Sequence, residues 1–144
     1  MQTFLPYPSF VKSAEVLDYR RLGKQRVETW QIYKALQLEN YGWSNHPIVK
    51  MWKGYEAGLL LYGIAVCLEW KQRGYNDSML PSFLYNYSLF DDVKLPPWVG
   101  NEELHSSHRS NLLRKDYEFY NKFSWEEDTT QEYIWITNPQ SLKT

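Results

Sequence analysis

Met51-Trp52-Lys53-Gly54-Tyr55-Glu56-Ala57-Gly58-Leu59-Leu60-Leu61-Tyr62-Gly63-Ile64-Ala65-Val66-Cys67-Leu68-Glu69-Trp70 decides the fold. Wound at about 100° per residue, Met51, Trp52, Tyr55, Leu59, Tyr62, Val66 and Trp70 form one stripe, and Leu60, Leu61, Ile64 and Leu68 cover much of the remainder. A helix that is apolar over most of its circumference is a buried one, so this segment reads as the spine of a helical core. Asn45-His46-Pro47 opens it with a capping residue and a proline in the first turn, and Arg73-Gly74 closes it with glycine at C′. One long helix is expected. Its most apolar part, Ala57 to Leu68, is too short to cross a bilayer and contains glycines, which argues against a membrane role.

Upstream, prolines 6 and 8 among Phe4, Leu5, Tyr7 and Phe10 make residues 1–12 an extended arm with apolar anchors. Ser13 is the expected N-cap of a helix running to about Leu38 and ended by Asn40-Tyr41-Gly42. On that helix Val16, Tyr19, Gly23, Val27, Trp30 and Tyr33 read as the packed stripe, and Asp18, Arg21, Lys24, Gln25 and Glu28 share the opposite face. Such a face is ordinarily the wet side of an amphipathic helix. Here its continuation, Ile32, Ala35 and Leu36, is apolar, so the polar patch is bounded like a cleft wall.

Downstream, periodicity fades from Tyr75 to Gly100, where three prolines punctuate an aromatic-rich stretch read as a long loop. Asn101 caps a third helix with His105, His108, Arg109 and Leu112 on one face, and Asp116 caps a further short turn. Tyr133-Ile134-Trp135-Ile136 reads as an extended piece laid on the core, and residues 137–144 as a frayed end. The expected architecture is all-α: residues 1–144 as a single compact domain of three main helices, with the aromatic-rich loop and a short extended C-terminal tail.

The chain has 144 residues, 16 basic against 17 acidic for a net charge of -1, and a mean hydropathy of -0.61. That balance excludes a strongly basic, nonspecific nucleic-acid binder. Charge is nevertheless segregated: residues 12–34 carry six Lys/Arg against three Asp/Glu, while Glu126, Glu127, Asp128 and Glu132 gather late. Cys67 is the single cysteine, set among apolar residues, and the N-terminus reads as no secretory leader; a cytoplasmic monomer is expected. His105 and His108, three apart and with no completing ligand set, do not make a metal site. The block His105-Ser106-Ser107-His108-Arg109-Ser110-Asn111-Leu112-Leu113-Arg114-Lys115 is dense in donors that suit phosphate oxygens, and equally suits a polar surface helix.

Three blocks resemble the pyrimidine-dimer DNA glycosylase family of the phage endonuclease V type: Tyr19-Arg20-x-Leu22, His46 through Arg73-Gly74-Tyr75-Asn76, and Leu104-His105 through Leu113. The Arg-Leu-Gly-Lys-Gln-Arg-Val-Glu and His-Arg-Ser-Asn-Leu-Leu-Arg-Lys blocks are similar to a bacterial and phage branch grouped with it. The resemblance implies a helical domain that grips DNA, extrudes a nucleotide and cuts its N-glycosidic bond through an amine that attacks C1′, with a Schiff base permitting strand β-elimination. No metal or organic cofactor is implied. The family's amine belongs to an N-terminal threonine, and a glutamate directly follows its Tyr-Arg pair. Here Gln2 is too bulky for the usual methionine removal, and Arg21 stands in the glutamate's place.

The replacement carboxylate is Glu28, and the replacement amine is Lys24 or the α-amine of Met1, with Lys24 favoured because helix geometry sets its position. Arg20, Arg26, His46, His105, His108, Arg109, Asn111, Arg114 and Lys115 are the expected DNA contacts. The leading expectation is a DNA glycosylase, with abasic-site lyase activity, that removes a damaged or modified pyrimidine from duplex DNA. The competing ones are a noncatalytic nucleic-acid binder on the same scaffold and an N-glycosidase of free nucleotides.

Overall fold

A computed structural model of the protein describes residues 1–38, 42 and 44–139. The helix end expected at Asn40 and Tyr41, and the tail from Gln140 onward, lie outside the described residues. The described chain is all-helical: α1 (Phe10–Val16), α2 (Tyr19–Gln37), α3 (Pro47–Trp52), α4 (Glu56–Gln72), α5 (Leu80–Ser88), α6 (Glu102–Lys115) and α7 (Tyr117–Tyr120), followed by a 3-10 turn at Asn121–Phe123. No helix among the described residues is long and apolar enough to cross a membrane.

The expected first helix is two. Ser9, not Ser13, caps α1 by accepting the Lys12 N–H, and Leu17 is extended at φ -70°, ψ 138°. Asp18 then caps α2 by accepting the Arg21 N–H at 3.3 Å. Ser13 lies buried inside α1 and exchanges hydrogen bonds with the Tyr7 backbone, its hydroxyl donating to the carbonyl at 2.9 Å. The expected spine is also broken, at Lys53-Gly54-Tyr55, where Gly54 takes φ +89°, a value that glycine adopts without a Cβ penalty. Its far end agrees with expectation: α4 stops at Gln72 and Gly74 follows at φ +93°.

α4 is buried on nearly all sides and packs against α1, α2 and α5. Trp52, Tyr62, Phe83, Trp98 and Tyr120 are the largest side chains sealed in the core. The stretch read as a long loop contains α5, which starts just after Asp77, whose carboxylate accepts the N–H groups of Met79 and Leu80 at 3.1 and 2.7 Å. Asn101 caps α6 and Asp116 caps α7, as their positions imply. The segment 131–136 is extended and half-buried on the core. Thr137 and Asn138 are exposed, whereas Pro139 is buried.

The buried face of α2 differs from the expected stripe. Leu22, Gln25, Thr29, Ile32, Tyr33 and Ala35 point inward, while Tyr19 and Val27 are 50% and 43% exposed. A glutamine and a threonine on the inner face read as surface residues from polarity alone. Gln25 is inside because the N-terminal arm lies across this face and offers it its backbone, whereas the buried Thr29 hydroxyl has no hydrogen-bond partner among the described residues.

Candidate active site

The arm is held from two sides. From α2, Gln25 accepts the Phe4 N–H at 2.7 Å and donates its amide to the Gln2 carbonyl at 2.6 Å. The Tyr62 hydroxyl lies 2.7 Å from the Phe4 carbonyl oxygen and 2.9 Å from Gln25 Oε1, and Trp52 Nε1 donates to Thr3 Oγ1 at 3.1 Å. From α6, His108 Nδ1 accepts the Leu5 N–H at 2.9 Å, and the Leu5 carbonyl lies 2.7 Å from His105 Nδ1. The Gly100 N–H donates to His105 Nε2 at 2.9 Å, so the proton of that ring sits on Nδ1 and is given to Leu5. Arg109 donates to the Pro6 carbonyl at 2.7 Å and is itself paired with Glu102 and Glu127.

The donor-rich block of α6 is therefore turned inward. His105, His108 and Asn111 are almost completely buried, Arg109 is 9% exposed, and none of the four presents the donor surface to DNA that was expected of it. Ser110 donates to the Asp128 carbonyl at 2.6 Å, and Asn111 donates to the Gln131 carbonyl at 3.0 Å. Arg114 donates to the Thr129 and Gln131 carbonyls at 2.8 and 3.2 Å. The oxygens these donors meet belong to the chain's own arm and tail. Burial pushes the His108 imidazole down to about 3, helped by His105 and Arg109, and lowers His105 as well.

With its arm fixed, the chain forms a cleft of about 680 Å³ at the head of α2, lined by Met1, Gln2, Phe4, Asp18, Tyr19, Arg20, Arg21, Lys24, Gln25, Glu28, Lys115, Asp116, Phe119 and Tyr133. Four of the expected groups, Arg21, Lys24, Glu28 and Met1, meet here, together with Arg20 and Lys115. Glu28, whose side chain is 14% exposed, accepts the Gln2 N–H at 3.2 Å through Oε2 and holds Lys24 Nζ at 3.5 Å through Oε1. One carboxylate thus bridges the start of the arm and a lysine one turn away.

Beside it, Arg21 pairs with Asp18 at 3.1 Å, and the buried Tyr120 hydroxyl donates to Asp18 Oδ1 while accepting the Asp18 N–H at 3.0 Å. Burial pushes the Asp18 carboxyl up, but the hydrogen bonds from Tyr120 and Arg21 and the Arg21 charge outweigh it and hold it below the ordinary carboxylate value. Tyr120 is pushed up by burial and by that same bond, so it stays a donor. Asp18 is committed to capping α2 and orienting Arg21. Burial pushes the Tyr133 phenol in the opposite wall up to about 12, keeping it neutral.

Two other expected DNA contacts lie elsewhere. The Arg26 side chain is 15% exposed, paired with Asp77 and laid over the Trp70 ring at 4.5 Å, so it braces α2 against the segment after α4. His46 caps α3 by accepting the Ile48 N–H at 3.1 Å and meets Trp135 edge-on. Burial lowers its imidazole, the N-terminal charge lowers it further, and Glu28 pulls the other way. No group of three or more His, Cys, Asp or Glu side chains among the described residues is placed to hold a metal.

Sequence reasoning missed Gln25 as the arm's anchor and Phe4, Asp116, Phe119 and Tyr133 as cleft walls. Gln25 had a signal in its position between Lys24 and Arg26 on the patterned helix. Tyr133 had none, because nothing local tells which helix an extended tail covers.

The arm and the first long helix of this all-helical domain thus enclose an amine-bearing, cation-rimmed cleft. The family model described as pyrimidine dimer DNA glycosylase matches residues 1–81, which include the arm and helices α1 to α4, more than half of the 144 residues. The chain belongs to the pyrimidine dimer DNA glycosylase family. Comparison with curated proteins and with solved structures returned no match.

Proposed function

We propose that this protein excises a damaged or modified pyrimidine from duplex DNA in the cleft at the head of α2, and that it carries abasic-site lyase activity. The observation that carries the reading is the placement of Glu28. Its two oxygens engage the Gln2 backbone N–H of the arm and the Lys24 amine of the helix, so one carboxylate joins arm and helix in a cleft that Met1 also lines and that Arg20, Arg21 and Lys115 rim. The family's glutamate is absent from its usual place after the Tyr-Arg pair. Glu28, two turns further along, supplies the same group from the same helix.

In this reading an amine attacks C1′ of the extruded nucleotide, and the N-glycosidic bond breaks with its electron pair leaving on the base. Glu28 stabilises the positive charge that grows on the sugar as the base departs. The substituted amine then loses a proton and its lone pair expels O4′, which takes up a proton as the sugar ring opens to a Schiff base; removal of a proton from C2′ expels the 3′ phosphate by β-elimination. Arg20, Arg21 and Lys115 hold the phosphates that flank the extruded nucleotide.

We assign the amine to Met1. Lys24 was favoured on sequence because the arm could not be positioned. The bonds of Gln2, Thr3 and Phe4 to Glu28, Trp52 and Gln25 remove that ground. The Lys24 side chain is 75% exposed and would have to leave its ion pair to attack.

Borohydride trapping on abasic duplex DNA tests the assignment. Wild type and Lys24→Ala should form the covalent complex, and N-terminally acetylated protein should not; the reverse pattern moves the amine to Lys24. Glu28→Gln keeps an acceptor for the Gln2 N–H, so its melting temperature should stay near wild type while base release, read by mass spectrometry over a panel of modified duplexes, falls by at least about 100-fold. Undiminished release would remove Glu28 from the site. Base release without trapping would make the enzyme a glycosylase that activates water.

A further inference from the structure

Beside the cleft, three aromatic rings follow one another in a stack. Tyr75 stacks on Trp70 with centroids 4.2 Å apart and planes 25° apart, and Tyr19 lies over Tyr75 at 6.4 Å and 26°. Gly23 makes the ladder possible, since a Cβ there would come within 2.8 Å of the Trp70 ring. Gly74, in its left-handed conformation, turns the chain so that Tyr75 folds back and its N–H donates to the Trp70 carbonyl at 3.3 Å. Trp70 is tied from behind, donating its indole N–H to the Asn76 carbonyl at 2.7 Å beneath the Arg26 guanidinium.

The ladder is braced at Trp70, and at its other end Tyr19 and Tyr75 are 50% and 41% exposed, with the Arg20 guanidinium 5.7 Å from the Tyr19 ring centroid. Exposure does not single it out, because Tyr85 and Tyr117 are more exposed still. What does is the combination of stacking, bracing and position: Tyr19 is also a wall of the cleft, and Arg20 donates from Nε to the Tyr19 hydroxyl at 3.0 Å, bringing a guanidinium to the ladder's edge. A rigid aromatic face with a cation at its rim, adjoining the cleft, suits an unstacked nucleobase with its phosphate.

We propose that Tyr19 and Tyr75 form a stacking shelf for an unpaired nucleobase of the DNA, neighbouring the nucleotide drawn into the cleft. The proposal rests on the glycosylase reading of that cleft. Extruding one nucleotide costs the stacking energy of its neighbours, and a preformed aromatic surface returns part of it. Every base has a π-face, so the shelf is tolerant of sequence and serves damaged DNA rather than a defined site. It also explains why Arg73-Gly74-Tyr75-Asn76 ends α4 as it does: the turn builds the shelf.

Binding to a labelled duplex with one tetrahydrofuran abasic analogue, beside the matched intact duplex, tests this without any chemistry. Tyr19→Leu and Tyr75→Leu should each weaken binding to the analogue duplex by about tenfold relative to the intact duplex, within the range of a lost base–aromatic stack. Tyr19→Phe keeps the ring and should keep the preference for the analogue duplex, losing only what the Arg20 bond to the hydroxyl gives on both duplexes alike. The leucine variants' relative loss should be equal at about 50 and about 200 mM salt, because a stacking contact releases no counterions. In wild type, 2-aminopurine next to the analogue should be quenched on binding and should brighten in the leucine variants. If wild type prefers the analogue duplex and both leucine variants match it, the shelf is wrong and the glycosylase reading stands. Equal losses on both duplexes, or a fallen melting temperature, would make the ladder structural and overturn the proposal. A wild type without preference for the analogue overturns the reading and the shelf together.

Discussion

Replacing Gln25 by leucine should release the arm and abolish activity while leaving the rest of the fold in place. The volume is nearly conserved, so what changes is hydrogen bonding. The Phe4 N–H loses its acceptor at 2.7 Å and the Gln2 carbonyl loses its donor at 2.6 Å, both within the protein interior. Each orphaned buried group costs about 1–3 kcal/mol, hence about 2–6 kcal/mol if the arm stays where it is. The alternative is for residues 1–4 to lift into water, which restores those bonds but forfeits the burial of Phe4, about 1.5–3 kcal/mol, and takes from the buried Tyr62 hydroxyl and Trp52 indole N–H their partners on the arm. Either course costs at least about 2 kcal/mol, a large part of a total of about 5–15 kcal/mol.

Urea unfolding should show this as a lower midpoint with little change in slope. Amide exchange should separate the two courses, because a lifted arm loses protection at Phe4 while Leu5, held by His105 and His108, keeps it. Borohydride trapping, carried out well below the midpoint, should fall with the arm's occupancy. A variant within about 0.5 kcal/mol of wild type that traps at full rate would refute the reasoning on both counts: Gln25 would not hold the arm, and the arm's position would not matter to the chemistry.

The buried histidines make stability depend on pH in a stated direction. The folded His108, held down to about 3, refuses a proton that the unfolded chain takes up near 6.5, so stability falls as pH drops from about 6.5 toward 3, by about 1.4 kcal/mol per pH unit for this group. His108→Asn, which keeps an acceptor for the Leu5 N–H, should flatten the urea midpoint profile between about pH 6 and 4; an unchanged profile would place the proton uptake elsewhere. DNA binding should show a log–log salt slope of about -2 to -4, since Arg26, Arg109 and Arg114 are engaged within the protein and Arg20, Arg21, Lys24 and Lys115 gather at the cleft. A slope near zero would point to free nucleotides as the substrate.

Much of the fold is legible in the sequence because its signals are local. The capping of α6 by Asn101, the glycine after α4 and the apolar girth of α4 each need only neighbouring residues, and each stands as read. The breaks were not legible for the same reason. Asp18 reads equally well inside a helix and as a cap, and only its bond to the distant Tyr120 ties it to the second role. Gly54 is one of several glycines in the spine, and nothing local marks it as the one at positive φ. Pro81 looked like a breaker but sits in the first turn of α5, where its missing N–H has no intrahelical partner to lose.

The polar face of α2 was legible as one face because its groups lie a turn apart on one helix, and Arg21, Lys24 and Glu28 do share a cleft. The block on α6 was misread because a sequence shows donors and not the acceptors they will meet. Phosphate oxygens and the chain's own carbonyls ask for the same side chains, and His105, Arg109, Asn111 and Arg114 meet carbonyls of the arm and tail while His108 accepts the Leu5 N–H. Burial of two neutral histidines and a paired arginine is a structural commitment that surface readout of DNA would not require. Its consequence runs back to the cleft. The arm and Glu28 lie within the matched family region, yet the clamp on Leu5 and Pro6 comes from α6, about a hundred residues later and beyond it. The position of the proposed amine therefore depends on the buried side chains of a helix that meets the cleft only at its last residue, Lys115.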